Sequence, residues 1–345
     1  MDLAEALAHE GSEEEVEEEE EEEEEEPSIN SMDDLIRLMV RYAPPLPTVD
    51  EELFDCNFTR QELVNRYGPF FFCERELVYL YRGYPLLKSL RALEDPKLLA
   101  IQRQIALQGG EQFCSTYEIN ASVIDKVCQS GCFPLGHVSV GVENLLIKLH
   151  QERCVMNPIS ERLHISRSVR KMAKRYMLTV NSAYEECVQQ IVEYHKHSWL
   201  HPQIRASFAA LQEEGSSFRT KVHSFELWNI QNLDPVPDSV EDLKSRAKMV
   251  AGEIGYALGA TYSSLSGFHT ENHSGSVQLV ATGKLLQHMG FTVWDFGMSM
   301  EYKLQLGATL VPRDEWLLLF HQTKDLSTHG PFPSQPFQVQ HLLNP

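Results

Sequence analysis

No window of the chain approaches the ~18 apolar residues of a membrane span. The N-terminus also lacks the basic flank and apolar core of a secretory leader, so a cytoplasmic protein without a membrane partner is expected. Cysteine is present as an odd set of seven, which without a secretory signal reads as reduced thiols rather than a disulfide framework. A metal centre is short of ligands. Cys128 and Cys132 with His137 supply three side chains at loose spacing and no fourth, so no metal is expected. Positive charge is missing altogether from Met1 to Glu26, which holds Asp2 and fifteen glutamates. The unbroken run Glu17–Glu26 opposes a helix by like-charge repulsion and offers nothing apolar to bury, so residues 1–31 read as an acidic disordered tail.

That tail accounts for most of the formal net charge of −20, because the rest of the chain carries 34 acids against 30 bases. The remainder is nearly neutral and leaves room for a basic surface. With 345 residues and 42% hydrophobic content, the chain is long and apolar enough for two domains around a sizeable core. One stretch reverses the local charge. Between Arg162 and Arg175, six basic side chains (Arg162, Arg167, Arg170, Lys171, Lys174 and Arg175) occur without an acid among them. The bland account of such a run is a solvated helix face; the sharper one is a surface for an anionic partner, which the acidic tail would mask at low salt.

Pattern reading gives mostly helix over residues 32–110, with no catalytic constellation there, then a small domain over 111–153 and an α/β domain over 154–330, followed by a tail over 331–345. Within the α/β part, Ser122–Cys128 reads as a short helix, Gly131–Gly136 as a turn, and Ser182-x-x-Glu185 as a capping box. Pro202 suits the first position of a helix over Gln203–Glu214 with Gly215 as its stop. Lys221–Asn229 and Gly252–Ser263 read as strands separated by a polar insertion, Ser274–Met289 as a helix ended by Gly290, and Phe291–Asp295 as a short buried strand. A strand, helix and strand whose second strand ends in an acid can build a site, because functional side chains collect at carboxyl ends of strands.

A set of motifs lies along this half of the chain in order: Gly131-Cys-Phe-Pro134, Leu163-His-Ile-Ser-Arg-Ser168, Thr179-Val-Asn-x-Ala-Tyr184, and Trp199 with Pro202. His223-Ser-Phe-Glu-Leu-Trp228, Gly252-x-x-Gly255, Glu271-Asn272, and Asp295 followed by Leu306-Gly-Ala308 continue it. With these, the chain resembles the leucyl/phenylalanyl-tRNA–protein transferase family over about residues 119–320. The resemblance implies a GNAT-like mixed sheet with flanking helices and an enzyme that moves an amino acid from aminoacyl-tRNA to the N-terminal α-amine of an acceptor protein, marking it for degradation. No metal or dissociable cofactor is implied. By the same resemblance Asp295 is the catalytic carboxylate, Trp199 stacks on the terminal adenosine, and the six basic residues face tRNA. The donor side chain would meet Leu135, Glu253, Tyr262, Gly267, Gln278 and Trp294. His164 is expected to be buried and hydrogen-bonded.

The chain departs from the family where the chemistry lies. Leu135 replaces a second tryptophan, and Leu265 and Gly297 replace a glutamate and a glutamine at the reaction centre. Glu253, Gly267, Gln278 and Trp294 stand where the family is apolar. A buried carboxylate without a partner is costly, so a leucyl guest fits poorly there. Two readings follow: an active aminoacyltransferase with a more polar donor, or an inactive homologue that binds tRNA or protein N-termini. A GNAT acetyltransferase ranks below both, since no glycine-rich pyrophosphate loop of the Arg/Gln-x-x-Gly-x-Gly/Ala kind is present.

Overall fold

The computed structural model describes three short strands within 72–87, a strand over 112–116, and residues 119–343 apart from 140, 141, 197 and 214. The acidic segment and most of 32–110 lie outside the described residues, and with them the helices expected there.

Two sheets form. The smaller joins β1 (Phe72–Cys73), β2 (Leu77–Leu80), β3 (Tyr84–Leu87), β4 (Gln112–Thr116), β5 (Phe133–Ser139) and β6 (Val142–Leu149) in the order β1-β2-β3-β4-β6-β5. The change of sheet falls between Leu149 and Glu152. The larger sheet contains β7 (Glu152–Met156), β8 (Tyr176–Val180), β9 (Lys221–Asn229), β10 (Lys248–Leu258), β11 (Thr261–His269), β12 (Val293–Asp295), β13 (Thr309–Pro312) and β14 (Phe337–Gln338). Their order is β13-β7-β12-β11-β10-β9-β8-β14, all antiparallel except the β11–β12 pair. This is a mixed sheet in an α/β chain.

The helices are α1 (Ala121–Gln129), α2 (Ile159–Arg162), α3 (Arg167–Met172), α4 (Tyr184–His195), α5 (Pro202–Gln212), α6 (Val240–Arg246), α7 (Ser274–His288), α8 (Glu301–Leu306), α9 (Arg313–Thr323) and α10 (Val339–Leu343). They cover both faces of the larger sheet. On one face α4 and α5 bury Cys187, Val188, Ile191, Ile204 and Phe208 against Ile254 and Tyr256, and the same apolar cluster runs on into α1 and β6 through Val123, Val127 and Leu145. On the other, α7 buries Val277, Val280, Ala281 and Leu285 against Ala251, Tyr262 and Trp294. Because neighbouring residues of a strand point to opposite faces, these two cores alternate along β10 and β11.

Several local expectations change. Gly252–Ser263 is not one strand but the hairpin β10–β11, turning where Gly259 takes φ +57, a conformation glycine adopts without Cβ cost. Strand β5 begins at Phe133, inside the expected turn; the reversal is confined to Gly131 at φ +76. Ser182 does not cap α4. Its hydroxyl bonds to Val180 O (3.2 Å), and the buried Glu226 of β9 instead accepts from Ala183 N (3.4 Å) at the start of that helix. Residues 331–343 of the expected tail are packed, since β14 pairs with β8 and α10 buries Val339, Leu342 and Leu343.

Candidate active site

Strand β12 lies between β7 and β11 and ends at Asp295. The carboxylate is fully buried, and the structure saturates it. Arg153 of β7 grips it with a fork, Nε on Oδ1 at 2.8 Å and Nη2 on Oδ2 at 2.9 Å. Ser263 Oγ donates to Oδ2 (2.8 Å), and Gly297 N closes the turn onto Oδ1 (2.9 Å). Four donors thus occupy the roughly four lone-pair sites that a carboxylate offers. Asp295, expected as the catalytic carboxylate that orients the amine or takes its proton, here holds Arg153 and the turn after β12.

Arg153 is itself 1% exposed. Its third nitrogen reaches His150 Nδ1 at 2.7 Å, and its guanidinium lies 4.9 Å from the Trp316 ring centroid and 5.7 Å from that of Phe133. Burial alone would lower its pKa, but the charge and hydrogen bonds of Asp295 outweigh burial and raise it. Burial, and then the adjacent guanidinium, press His150 down to about 2, so a neutral imidazole accepts from Arg153.

Phe133 brings the small sheet to this place. Its ring also contacts His150 and Trp199, each at 5.9 Å. Trp199 is half-buried and rests on Phe208 as well. A side chain at Gly136 would collide with Trp199 O, so the close approach of β5 to the 199–201 turn depends on that glycine. Leu135, on the strand between Phe133 and Gly136, is half-buried. Leu265 is partly buried in the core shared with α4 and α5, while Gly297 takes φ +69 with Phe133 close by.

The other expected donor-pocket residues gather on the opposite face of the sheet, under α7. Tyr262 OH reaches Glu253 Oε1 at 3.4 Å and Ser264 Oγ reaches Oε2 at 3.2 Å. Trp294 Nε1 donates to Ser264 Oγ at 2.8 Å. Gly267 pairs with Glu253 across the β10–β11 ladder, and Gln278 Nε2 is held by Thr282 Oγ1 at 2.9 Å one helical turn on. Trp294 packs against α7 where a side chain at Gly283 would come within 2.7 Å of its ring. Burial pushes the Glu253 carboxyl up to about 7. Sequence reasoning named these residues but not their separation from Asp295, which follows from strand parity: Trp294 pairs with Tyr262 on one face, and Asp295 with Ser263 on the other.

Two features join the faces at the end of β12. Lys303 of α8, half-buried, donates to Phe296 O (2.8 Å) and Met298 O (2.9 Å), and its ammonium feels both Asp295 and Glu253. The basic segment is fastened to the same helix, since His164 N bonds to Leu306 O at 2.8 Å and Arg162 O sits against Gly307. Sequence reasoning missed Arg153, His150 and Lys303. Only a lone arginine, histidine and lysine mark them in sequence.

Ser166 caps α3 through Val169 N (3.3 Å). Arg162, Arg167, Arg170, Lys171 and Lys174 are exposed, Arg175 is half-buried, and none of the six enters an ion pair among the described residues. His164 is exposed, not buried as expected, because its backbone rather than its ring makes the anchoring bond.

The family model for leucyl/phenylalanyl-tRNA protein transferase matches residues 155–321, from β7 through α9. Among curated relatives, the leucyl/phenylalanyl-tRNA–protein transferase of Tolumonas auensis is 28% identical over 54% of this chain and 70% of its own length. That of Magnetococcus marinus is 26% identical over 55% and 73%, and that of Pectobacterium carotovorum 26% identical over 68% and 86%. That family is one of tRNA-dependent aminoacyltransferases, and the match takes in just under half of this chain.

Many of the motif residues that carry this kinship turn out to be structural. Thr179 Oγ1 donates to Glu226 Oε2 (2.6 Å) and accepts from Trp228 Nε1 (2.8 Å), Ser224 Oγ bonds to the same carboxylate, and Glu271 holds Asn229 Nδ2. A side chain at Gly252 would press on Cys187, and one at Gly255 would collide with Tyr262.

Proposed function

We propose that the chain transfers an amino acid from aminoacyl-tRNA to the N-terminal α-amine of an acceptor protein on a GNAT-like sheet, and that the added residue marks the acceptor for degradation. The observation that carries this reading is the coupling of an exposed basic segment to a buried strand end. Arg167, Arg170, Lys171 and Lys174 are exposed and can meet phosphates, which position an RNA without reading its sequence, while Arg162 spends its Nε on Asn157 O. The same segment is bonded to α8, whose Lys303 holds the turn that follows Asp295.

An aminoacyl ester is already activated. The acceptor nitrogen attacks the ester carbonyl, a C–N bond forms, the C–O bond to the terminal ribose breaks, the amine gives up a proton and the ribose oxygen gains one. An α-amine of pKa ~7.7–8.0 is sufficiently deprotonated near neutrality, so positioning is the principal demand and can supply ~7–11 kcal/mol. Neither a metal nor a dissociable cofactor enters these steps. Asp295 acts here as a positioning residue, setting Arg153 and the Gly297 turn. Half-buried Trp199 offers a face to the terminal adenine, where stacking is worth ~1–3 kcal/mol. Glu253, Gln278 and Tyr262 favour a donor side chain more polar than Leu or Phe.

One observation favours a second reading, a cytoplasmic homologue that binds tRNA or protein N-termini without transfer: Asp295 has no unoccupied acceptor site, and Leu265 and Gly297 supply no acid or amide beside it. The test is incorporation of labelled amino acids from a mixed charged-tRNA pool into a peptide with a free N-terminus. Incorporation of at least one establishes the transferase; none from any, with tRNA still bound, leaves the binding reading.

A further inference from the structure

The layer between α7 and the large sheet is apolar almost throughout, and a carboxylate stands in it. Glu253 is 4% exposed. The described ion pairs are Arg153–Asp295, Arg219–Asp325, Arg246–Asp242 and Lys324–Asp325, so Glu253 belongs to none of them. The cation whose charge reaches it, Lys303, has its ammonium hydrogen-bonded to the carbonyls of Phe296 and Met298. What Glu253 does receive is neutral throughout: long bonds from the hydroxyls of Tyr262 at 3.4 Å and Ser264 at 3.2 Å, with the Gln278 amide also helping to hold its charge. Beside it Gln278 and Thr282, both buried, add polar groups from α7.

Taking a carboxylate out of water is costly unless a cation repays it, and neutral donors repay only part. The site therefore has the chemistry of half an ion pair. Neither cross-strand neighbour supplies a charge, since Glu253 faces Gly267, which has no side chain, on one side and Phe225 on the other. Nearby stand two half-exposed aromatics that suit the stem and charge of a long basic side chain. Tyr302 lies close enough to Glu253 and to Tyr194 that, after burial, their charges help raise its phenol to about 12.

From this cluster we infer that Glu253 is the recognition group for a cationic donor side chain, arginyl or lysyl, on the aminoacyl-tRNA. The inference rests on the transferase reading for its setting and goes beyond it in naming the charge of the substrate. Glu253 pairs with the guanidinium or ammonium, Tyr262 and Ser264 keep the carboxylate oriented, and Trp294 fixes Ser264 through its indole N–H.

The experiment uses the full chain and tRNAs carrying amide-linked, non-transferable Arg, Lys, Leu and Phe together with the neutral isosteres citrulline and norleucine. Binding is compared for the parent and Glu253→Gln, whose amide keeps the shape, and a thermal melt confirms that the variant folds. The parent is expected to prefer Arg over citrulline and Lys over norleucine at least tenfold, and the variant to lose both preferences. Transfer of the ester-linked forms is measured in parallel. Charge-selective binding without transfer of any residue supports the role of Glu253 and removes the transferase reading. Transfer of Leu or Phe at a kcat/KM equal to or above that of Arg and Lys, or unchanged preferences in Glu253→Gln, overturns the role of Glu253 and leaves the transferase reading standing.

Discussion

Asp295→Asn separates a structural carboxylate from a catalytic base. The substitution keeps the shape of the side chain but removes the charge opposite an arginine that is 1% exposed. At most one amide oxygen remains to accept where two carboxylate oxygens now take Arg153 Nε, Arg153 Nη2, Ser263 Oγ and Gly297 N. Removing one partner of a buried pair costs ~3–5 kcal/mol, because the other charge is left uncompensated. For a cooperative unit of 150–250 residues each kcal/mol moves Tm by ~2–4 °C, so a fall of roughly 6–20 °C is expected. Replacing both partners, Arg153→Met with Asp295→Leu, removes the stranded charge and should recover a large part of that loss. The assay is thermal unfolding by circular dichroism, with transfer or tRNA binding measured well below each Tm. An Asn variant that melts with the parent yet loses transfer a hundredfold or more would refute the structural account and return Asp295 to proton transfer.

Arg170→Ala combined with Lys174→Ala should leave Tm unchanged, since both side chains are exposed, while the slope of log affinity for tRNA against log salt flattens by ~0.7–0.9 for each phosphate that is no longer neutralised. An unaltered slope would make this segment a solvated face. Glu253 also predicts a pH dependence of stability. Its folded pKa lies above the ordinary 4.5, at about 7, so the folded state holds the extra proton between those values and stability falls as pH rises through that window. At ~1.4 kcal/mol per unit the effect reaches at most about 3 kcal/mol. Glu253→Gln should therefore gain on the parent between pH 5 and pH 8. The likewise raised Glu226 is common to both proteins and cancels. Parallel Tm curves for the two proteins across that range would sink the assignment.

The fold was legible where burial and local conformation agree. Lys221–Asn229 is apolar at β-propensity positions and buried over most of its length, and Ser274–His288 is a helix closed by Gly290, which takes φ +84. Legibility failed where a distant residue decides the local outcome. Ser182 and Glu185 form a good capping pattern, yet Glu226, 43 residues beyond Ala183, sits at the start of α4 and satisfies Ala183 N instead. The β10–β11 hairpin was hidden for a related reason. Both strands are buried, so no polar turn interrupts the apolar run, and only Gly259 marks the reversal.

The same distinction explains why kinship was easier to read than chemistry. Thr179, Glu226, Trp228, Gly252 and Gly255 are held in place by neighbours that a different residue would disturb, whatever the ligand, so they mark the frame. The chemistry depends instead on which side chains of β10, β11 and β12 share a face. A sequence lists Trp294 and Asp295 as neighbours, but the pleat sends one toward α7 and Glu253 and the other toward Arg153 and Phe133. In the proposed transferase, a donor whose side chain reached Glu253 and whose ester lay near Trp199 would have to cross the carboxyl end of β12. At that strand end stand Gly297, whose missing side chain leaves Phe133 as the neighbour, and Lys303, which ties Phe296 O to Met298 O.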